Sequence, residues 1–257
     1  MMKTRLITLL IAITTIIGSA YAQKKIEVYK NGEVVYSEYI TDIDSIKFKE
    51  QTAPLPNTEN GHEYVDLGLP SGIKWATCNV GANSPEEYGD YFAWGETEPK
   101  DYYSWSTYKY CNGSYDTITK YCTNSKYGTV DNKTTLELSD DAARVNWGGS
   151  WRMPTRAEQD ELENTSNCTW IWTTQNGVKG YKVTSVKNGN SIFLPAAGLL
   201  GGDDLDVAGD LGRFWLNSLD PTPNRCYNAS NMAFNSFNAS GTYEYRYYRR
   251  SVRAVCE

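Results

Sequence analysis

The chain carries one histidine, His62, six cysteines and two adjacent aspartate pairs, Asp140-Asp141 and Asp203-Asp204, and these are its first candidates for chemistry. A Ser-His-Asp triad would have to use His62, yet Gly68-Leu69-Pro70-Ser71-Gly72 is not the GxSxG elbow that such a nucleophile needs. His62 therefore reads as a surface or strand-edge residue, and a lone histidine excludes a histidine-rich metal site. Neighbouring aspartates point in different directions, so neither pair by itself offers the converging acids of a glycosidase. Asp203, Asp204, Asp206 and Asp210 have the oxygen-rich character of a calcium loop without EF-hand spacing, and read as an exposed acidic loop. No catalytic residue, metal site or cofactor is expected.

The cysteines, Cys78, Cys111, Cys122, Cys168, Cys226 and Cys256, show no CxxC spacing, which favours disulfides over a metal. Six allow fifteen connectivities. Cys111 and Cys122 are the nearest pair, and a local bridge closing a tyrosine-rich loop is the simplest expectation.

Disulfides require an oxidising compartment, and the N-terminus supplies an address. Lys3 and Arg5 precede an apolar run from Leu6 to Ile17, and Ala20-Tyr21-Ala22 gives a small-x-small cleavage pattern. Residues 1–22 thus read as a secretory signal peptide, leaving about 235 residues for one sizeable domain with a small appendage. No later stretch is long and apolar enough for a membrane span. A net charge of -6 argues against nucleic acid as a partner.

The stretch "NWGGSWRMPT", Asn146 to Thr155, could be mistaken for a phosphate loop but has neither GxxxxGK[ST] nor GxGxxG spacing. Trp147 and Trp151 read instead as core plugs around a sharp turn at Gly148-Gly149. Arg152 is expected to pair with a buried acid, and Pro154-Thr155 to open a helix.

The elements that must position these residues follow from pattern. "KIEVYKNGEVVYSEYI" alternates around Asn31-Gly32 and predicts a β-hairpin in segment 23–50, with "TDIDSIKF" as a further strand or strand-like tail. A polar, proline-containing linker covers 51–60, and the main domain 61–257. Helices are expected at Ser84-Pro85-Glu86-Glu87, near Ser139 to Asn146, and from Thr155, where Glu158 completes a capping box. Strands flank Pro70-Ser71-Gly72, three more are punctuated by Asn176-Gly177 and Asn188-Gly189, and further runs lie near Phe214, Met232 and Val252. This pattern reads as α+β.

"YVDLGLPSGIKWATCNVGA", "YGDYFAWGET", "DDAA", "NWGGSWRMPT", "NGNSIFLPAAG" and "RRSVRAVC", in this order over residues 60–257, resemble the Fibrobacter succinogenes major paralogous domain family of exported proteins. The resemblance implies a C-type lectin-like fold, with two or three short helices on short twisted antiparallel sheets and the C-terminal strand returning beside an N-terminal one. It is the branch shared with formylglycine-generating enzymes and retroelement variable proteins. In the enzyme branch a cysteine pair binds copper, for which Cys226 and Cys256 would be the late candidates. In the binding branch the C-terminal residues hold a ligand. A structural or assembly component is a third class.

The binding branch draws attention to Leu216–Arg250, which is dense in Asn, Tyr and Ser, the chemistry of paratopes. Its expected contacts to a protein or glycan are Leu216, Asn217, Asp220, Asn224, Arg225, Asn228, Asn235, Asn238, Tyr243, Tyr245, Arg246, Tyr247, Tyr248 and Arg249. A stronger reading makes the segment hypervariable through adenine-directed replacement, which cannot yield Lys, Glu, Gln, Met or Trp from AAC codons. Those types make up 47 of 257 residues, so about six are expected in these 35 positions, and only Met232 and Glu244 occur. Six of the ten arginines fall between Arg213 and Arg253, and the last lysine is Lys187.

Overall fold

The computed structural model describes residues 10–16, 23–30, 33–40, 57–201 and 204–257. They fall into two compact units, 1–54 and 55–257. In the first unit β1 (Leu10–Ile16), β2 (Gln23–Lys30) and β3 (Glu33–Ile40) form an antiparallel sheet in the order β1-β2-β3. Lys30 pairs with Glu33, so the strands on either side of Asn31-Gly32 are joined by two residues. A chain shortened at Gln23 would lose β1 and keep the β2–β3 pair. Residues 17–22, the turn residues 31–32 and the tail 41–48 lie outside the described residues.

The second unit holds β4 (Thr58–Glu59), β5 (His62–Val65), β6 (Lys74–Ala76), a 3-10 turn at Leu138–Asp140, α1 (Ala142–Trp147), α2 (Arg156–Glu163), β7 (Cys168–Gln175), β8 (Val178–Ser185), β9 (Ser191–Pro195), β10 (Leu199–Gly201), β11 (Asp204–Asp206), β12 (Leu211–Leu219), β13 (Asn228–Asn235), β14 (Ala239–Tyr245) and β15 (Val255–Cys256). Its sheets run β15-β6-β5-β4, β7-β8-β9, β10-β11 and β12-β13-β14.

The α+β expectation is therefore corrected: among the described residues two helices of 6 and 8 residues stand against fifteen strands, and the architecture is essentially all-β. One expected helix is absent. Ser84 to Glu87 closes only a turn, Glu87 N donating to Ser84 O, because side chains capture the backbone on both sides. Asn83 N donates to Glu87 Oε2 at 2.7 Å, and the Tyr88 carbonyl accepts from Asn79 and Ser251. Part of the expected linker is sheet instead. Thr58–Glu59 pairs with His62 and Glu63 across a turn at Asn60 and Gly61, both in left-handed backbone.

Two apolar cores are separated by strands buried on both faces, and the period of two along a strand sends neighbouring side chains to different cores. Phe214 of β12 joins Leu67, Trp75, Val183, Leu194 and Phe234, while Trp215 joins Trp94, Tyr121, Trp147 and Trp151. Likewise Val255 faces one core and Ala254 and Cys256 the other. The C-terminal tail is the seam. Arg250 pairs with Phe92, Ser251 with Phe214, and Val255 with both Arg152 and Trp75.

"NWGGSW" lies against β4. Gly148 and Gly149 have φ of 66° and 56°, and a Cβ on Gly149 would lie 2.5 Å from the Glu59 carboxylate. That carboxylate accepts from Ser150 N, Glu59 O accepts from Trp151 Nε1 at 2.7 Å, and Asn60 donates to Trp147 O. Trp151 is fully buried and packs edge-on against Trp147, which stacks on His62 at 4.1 Å. Arg152 forms a two-pronged pair with Glu158, whose second role is the capping box with Thr155. Pro154 is buried, and its carbonyl accepts from Asn217 N. No helix among the described residues is long and apolar enough to cross a membrane.

Trp151→Ala removes a core-filling ring and its indole bond to the Glu59 carbonyl. We expect a loss of about 3 to 5 kcal/mol in chemical denaturation, whereas the exposed Val145→Ala control changes stability by less than about 0.5 kcal/mol.

Candidate recognition surface

The C-terminal segment does not present all its polar residues outward. Leu216 is fully buried, with its carbonyl accepting from Trp94 Nε1 at 2.8 Å, and Asp220 is buried, Oδ1 accepting from Thr222 N. Asn217 is held by its backbone to Leu136 and Pro154. Arg246 is fully buried. Its guanidinium donates to Tyr108 Oη and to the carbonyls of Lys120, Tyr121 and Cys226, under the rings of Trp94, Tyr108 and Tyr121. Leu216, Asp220 and Arg246 are thus turned inward, with the Arg246 donors finding carbonyls in place of water, while the Asn217 side chain is half-buried.

Asn235 and Asn238 sit at the far end of the β13–β14 hairpin, where Asn235 Oδ1 accepts from Phe237 N and Asn238 N. The register pairs Asn228 with Tyr245 and Phe234 with Ala239, six residues along, or about 20 Å at the usual rise per strand residue. Phe237 projects at that distal tip, 92% exposed.

The remaining expected residues come together. Arg225, Asn228, Tyr243, Tyr245 and Tyr248 line a shallow cleft of about 280 Å³ with Tyr227 and Glu244. Glu244 is held by Arg213 Nη1 at 2.5 Å and faces Arg250 Nη2 at 3.7 Å. Burial pushes the Arg250 guanidinium down to about 10. Asn228 Oδ1 is buried with no protein partner. Asn224 and Arg225 are exposed beside the cleft, and Arg249 lies over the Tyr103 ring.

What the residue pattern missed is the second half of this face. Eight aromatic residues lie between Tyr102 and Tyr127, a density visible in the sequence, and the segment packs against the C-terminal hairpin. Trp105 meets Tyr245 at 5.9 Å and Tyr247 at 5.0 Å. Tyr247 meets Tyr248 at 4.6 Å, and Tyr227 links Tyr245 to Tyr115 and Tyr127. The segment has little sheet of its own. Isolated bridges join Cys111 to Ile118 and Ile118 to Gly128, where a Cβ would strike the Ile118 carbonyl at 1.9 Å.

Charge fixes the back of the segment. The buried Asp140 accepts from Tyr121 Oη at 2.6 Å and from Lys120 Nζ, and Lys120 also reaches Glu137. Burial, the largest single influence, would raise the Asp140 carboxyl, but the hydrogen bonds from Lys120 and its tyrosine neighbours together with the Lys120 charge outweigh it and hold the group below the ordinary carboxylate range.

The cysteines are arranged differently from the local bridge. Cys111 Sγ donates to Trp105 O at 3.0 Å, while Cys122 Sγ lies 3.3 Å from Cys226 Sγ. Cys226 thus meets Cys122, and Cys256 is buried in β15 opposite Lys74. The arginine bias also has a structural component: Arg246, Arg250 and Arg253 are 0 to 2% exposed.

No protein-family model, characterised protein or solved structure matches the chain.

Because the Asp140 carboxyl is held below its unfolded value, its contribution is present above about pH 4, the usual aspartate range, and is lost as the pH falls through the folded value. Asp140→Asn should therefore lower the melting temperature at pH 7, with a smaller deficit against wild type at pH 3. Melting curves at the two pH values check this, and an equal deficit at both would contradict it.

Proposed function

We propose that the protein is an exported binding protein that holds a protein or glycan ligand, met outside the cytoplasm, on the aromatic face formed by the 102–127 segment and the C-terminal hairpin. The observation that carries this reading is one continuous ledge of rings, Trp105, Tyr115, Tyr127, Tyr227, Tyr245, Tyr247 and Tyr248, bordering the Arg225–Asn228 cleft. Tyrosine and tryptophan offer large contact area at low entropic cost, and amides and arginine around them supply directional hydrogen bonds. The ledge is partly open to solvent, with Tyr245 at 41% and Tyr115 at 47% exposure, where core packing alone would have favoured covering both.

Export rests on the leader-like pattern of residues 1–22, and the resemblance of residues 60–257 to a family of exported domains points the same way. The net charge of -6 disfavours nucleic acid as the ligand.

The test is to probe glycan and extracellular-protein arrays with the wild-type protein, then to measure each hit against Tyr245→Ala and Arg225→Ala. Arg225 is exposed and its variant should melt as wild type, Tyr245→Ala gives up ring contacts and should melt slightly lower but remain folded, and affinity should fall at least about tenfold in both, about 1.4 kcal/mol. Wild-type affinity in both variants would move the site off this face.

A further inference from the structure

We infer that Cys122 and Cys226 are joined by a disulfide in the exported protein, and that this bond fastens the 102–127 segment to the C-terminal hairpin. The pairing rests on geometry and on the oxidising compartment that export implies. Its bearing on binding rests on the reading of the aromatic face given above.

The two sulfurs, 104 positions apart in sequence, lie 3.3 Å apart, and the residues are 0 and 1% exposed. Their approach is fixed independently from several directions. One guanidinium nitrogen, Arg246 Nη1, donates to Tyr121 O at 3.1 Å and to Cys226 O at 3.0 Å, bridging the two cysteine-bearing segments. Asp131 Oδ1 accepts from Cys122 N at 2.9 Å, and Cys122 O accepts from the amides of Asp131 and Asn132. Beyond the pair, the Asn124 side chain donates to that of Asn224. A disulfide needs both half-cystines on facing backbones at short range, and here the backbones are placed by bonds that do not involve sulfur.

The other four cysteines are engaged elsewhere. Cys111 Sγ is turned to Trp105 O, and Cys78 Sγ lies beside Thr77 Oγ1 at 3.5 Å. Cys168 and Cys256 are buried in different cores.

Burial also pushes the Cys122 thiol up to about 11, so it holds little thiolate in the folded protein, and neither buried sulfur is open to a partner. Oxidation therefore belongs to folding, before the face closes. One cysteine thiolate attacks the disulfide of an oxidised thiol–disulfide exchange protein, or of glutathione disulfide, and expels one donor thiol. The second cysteine then attacks the mixed disulfide and expels the other. The two cysteines give up two protons and two electrons, and the donor leaves as a dithiol or two thiols.

The full chain is exported from a host with an oxidising secretory compartment, denatured without reductant and alkylated, and its peptides are mapped. A cross-linked peptide joining Cys122 to Cys226 is expected, with both cysteines alkylated only after reduction. Free alkylation of both before reduction, or a cross-link from either to another cysteine, overturns the pairing.

Stability supplies a second measure: Cys122→Ser and Cys226→Ser should each lower the melting temperature by about 10 °C, with the double variant close to the singles. Additive losses would indicate two independent buried thiols. For the fastening role, hydrogen exchange across residues 102–127 should quicken at least about tenfold in Cys226→Ser, a substitution outside that segment. Unchanged exchange with the cross-link present in wild type overturns the fastening and leaves the pairing standing. Neither measurement depends on a ligand, so failure of the cross-link and failure of the recognition reading are separable.

Discussion

The aromatic face depends on one buried cation whose partners are not carboxylates. Arg246 gives four hydrogen bonds, three to main-chain carbonyls and one to a tyrosine hydroxyl, and its plane is enclosed by Trp94, Tyr108 and Tyr121. Taking a charge out of water is costly, and the cost is tolerated only where nearly every donor finds an acceptor. Arginine can do this because its donors form a rigid planar fork, and its faces are weakly enough hydrated to stack on rings. A lysine would bring three donors at one point and could not span carbonyls on two separate chain segments. The carbonyls it collects belong to Lys120, Tyr121 and Cys226, so the irregular 102–127 segment is held to the C-terminal hairpin at this node.

Two further buried arginines along the C-terminal seam use part of the same device. Arg253 donates to Asn79 Oδ1 and to the carbonyls of Ala76 and Thr77, and burial lowers its guanidinium to about 10. Arg250 lies under Tyr248 and Trp215 and faces Glu244. A chain end threaded between two cores must satisfy the carbonyls of irregular neighbours that no strand pairs, and guanidinium groups reach them. This gives part of the arginine enrichment after Lys187 a cause in packing: three of the six arginines counted there are scaffold.

Legibility in the sequence followed the range of the interactions. Short-range rules held at β7 and β8, where Asn176 and Gly177 have φ of 48° and 86° as a type I′ turn requires, and at Thr155, where both capping-box bonds form. Arg152 has its buried acid, although the sequence did not say that the acid is the capping glutamate. At Ser84 the local signal for a helix lost to side-chain bonds made by residues as distant as Ser251. The balance of strand over helix escaped because many strands are only two to four residues long, too short for a period of two to show, and β6 and β15 pair across most of the domain's length. The Cys122–Cys226 contact and the inward turn of Arg246 were invisible for the same reason. Spacing favoured Cys111 for Cys122, and an arginine among tyrosines reads as surface unless the carbonyls awaiting it are known.

Those long-range ties also bear on how the face can act. A shallow cleft gains affinity when its rings are held in place before the ligand arrives, because each side chain ordered on binding subtracts from the net free energy. Tyr247 and Tyr248 are half-buried and braced by each other, Tyr247 also by Trp105 and Tyr248 by Tyr245 and Arg250, so little freedom remains for them to lose. Arg225 and Asn224 at the rim are exposed and can adapt. Rigid rings bordered by adaptable polar groups are what a binding surface needs in order to vary its rim chemistry without disturbing the frame. The residues free to change are then those that touch neither the Arg246 node nor the C-terminal seam.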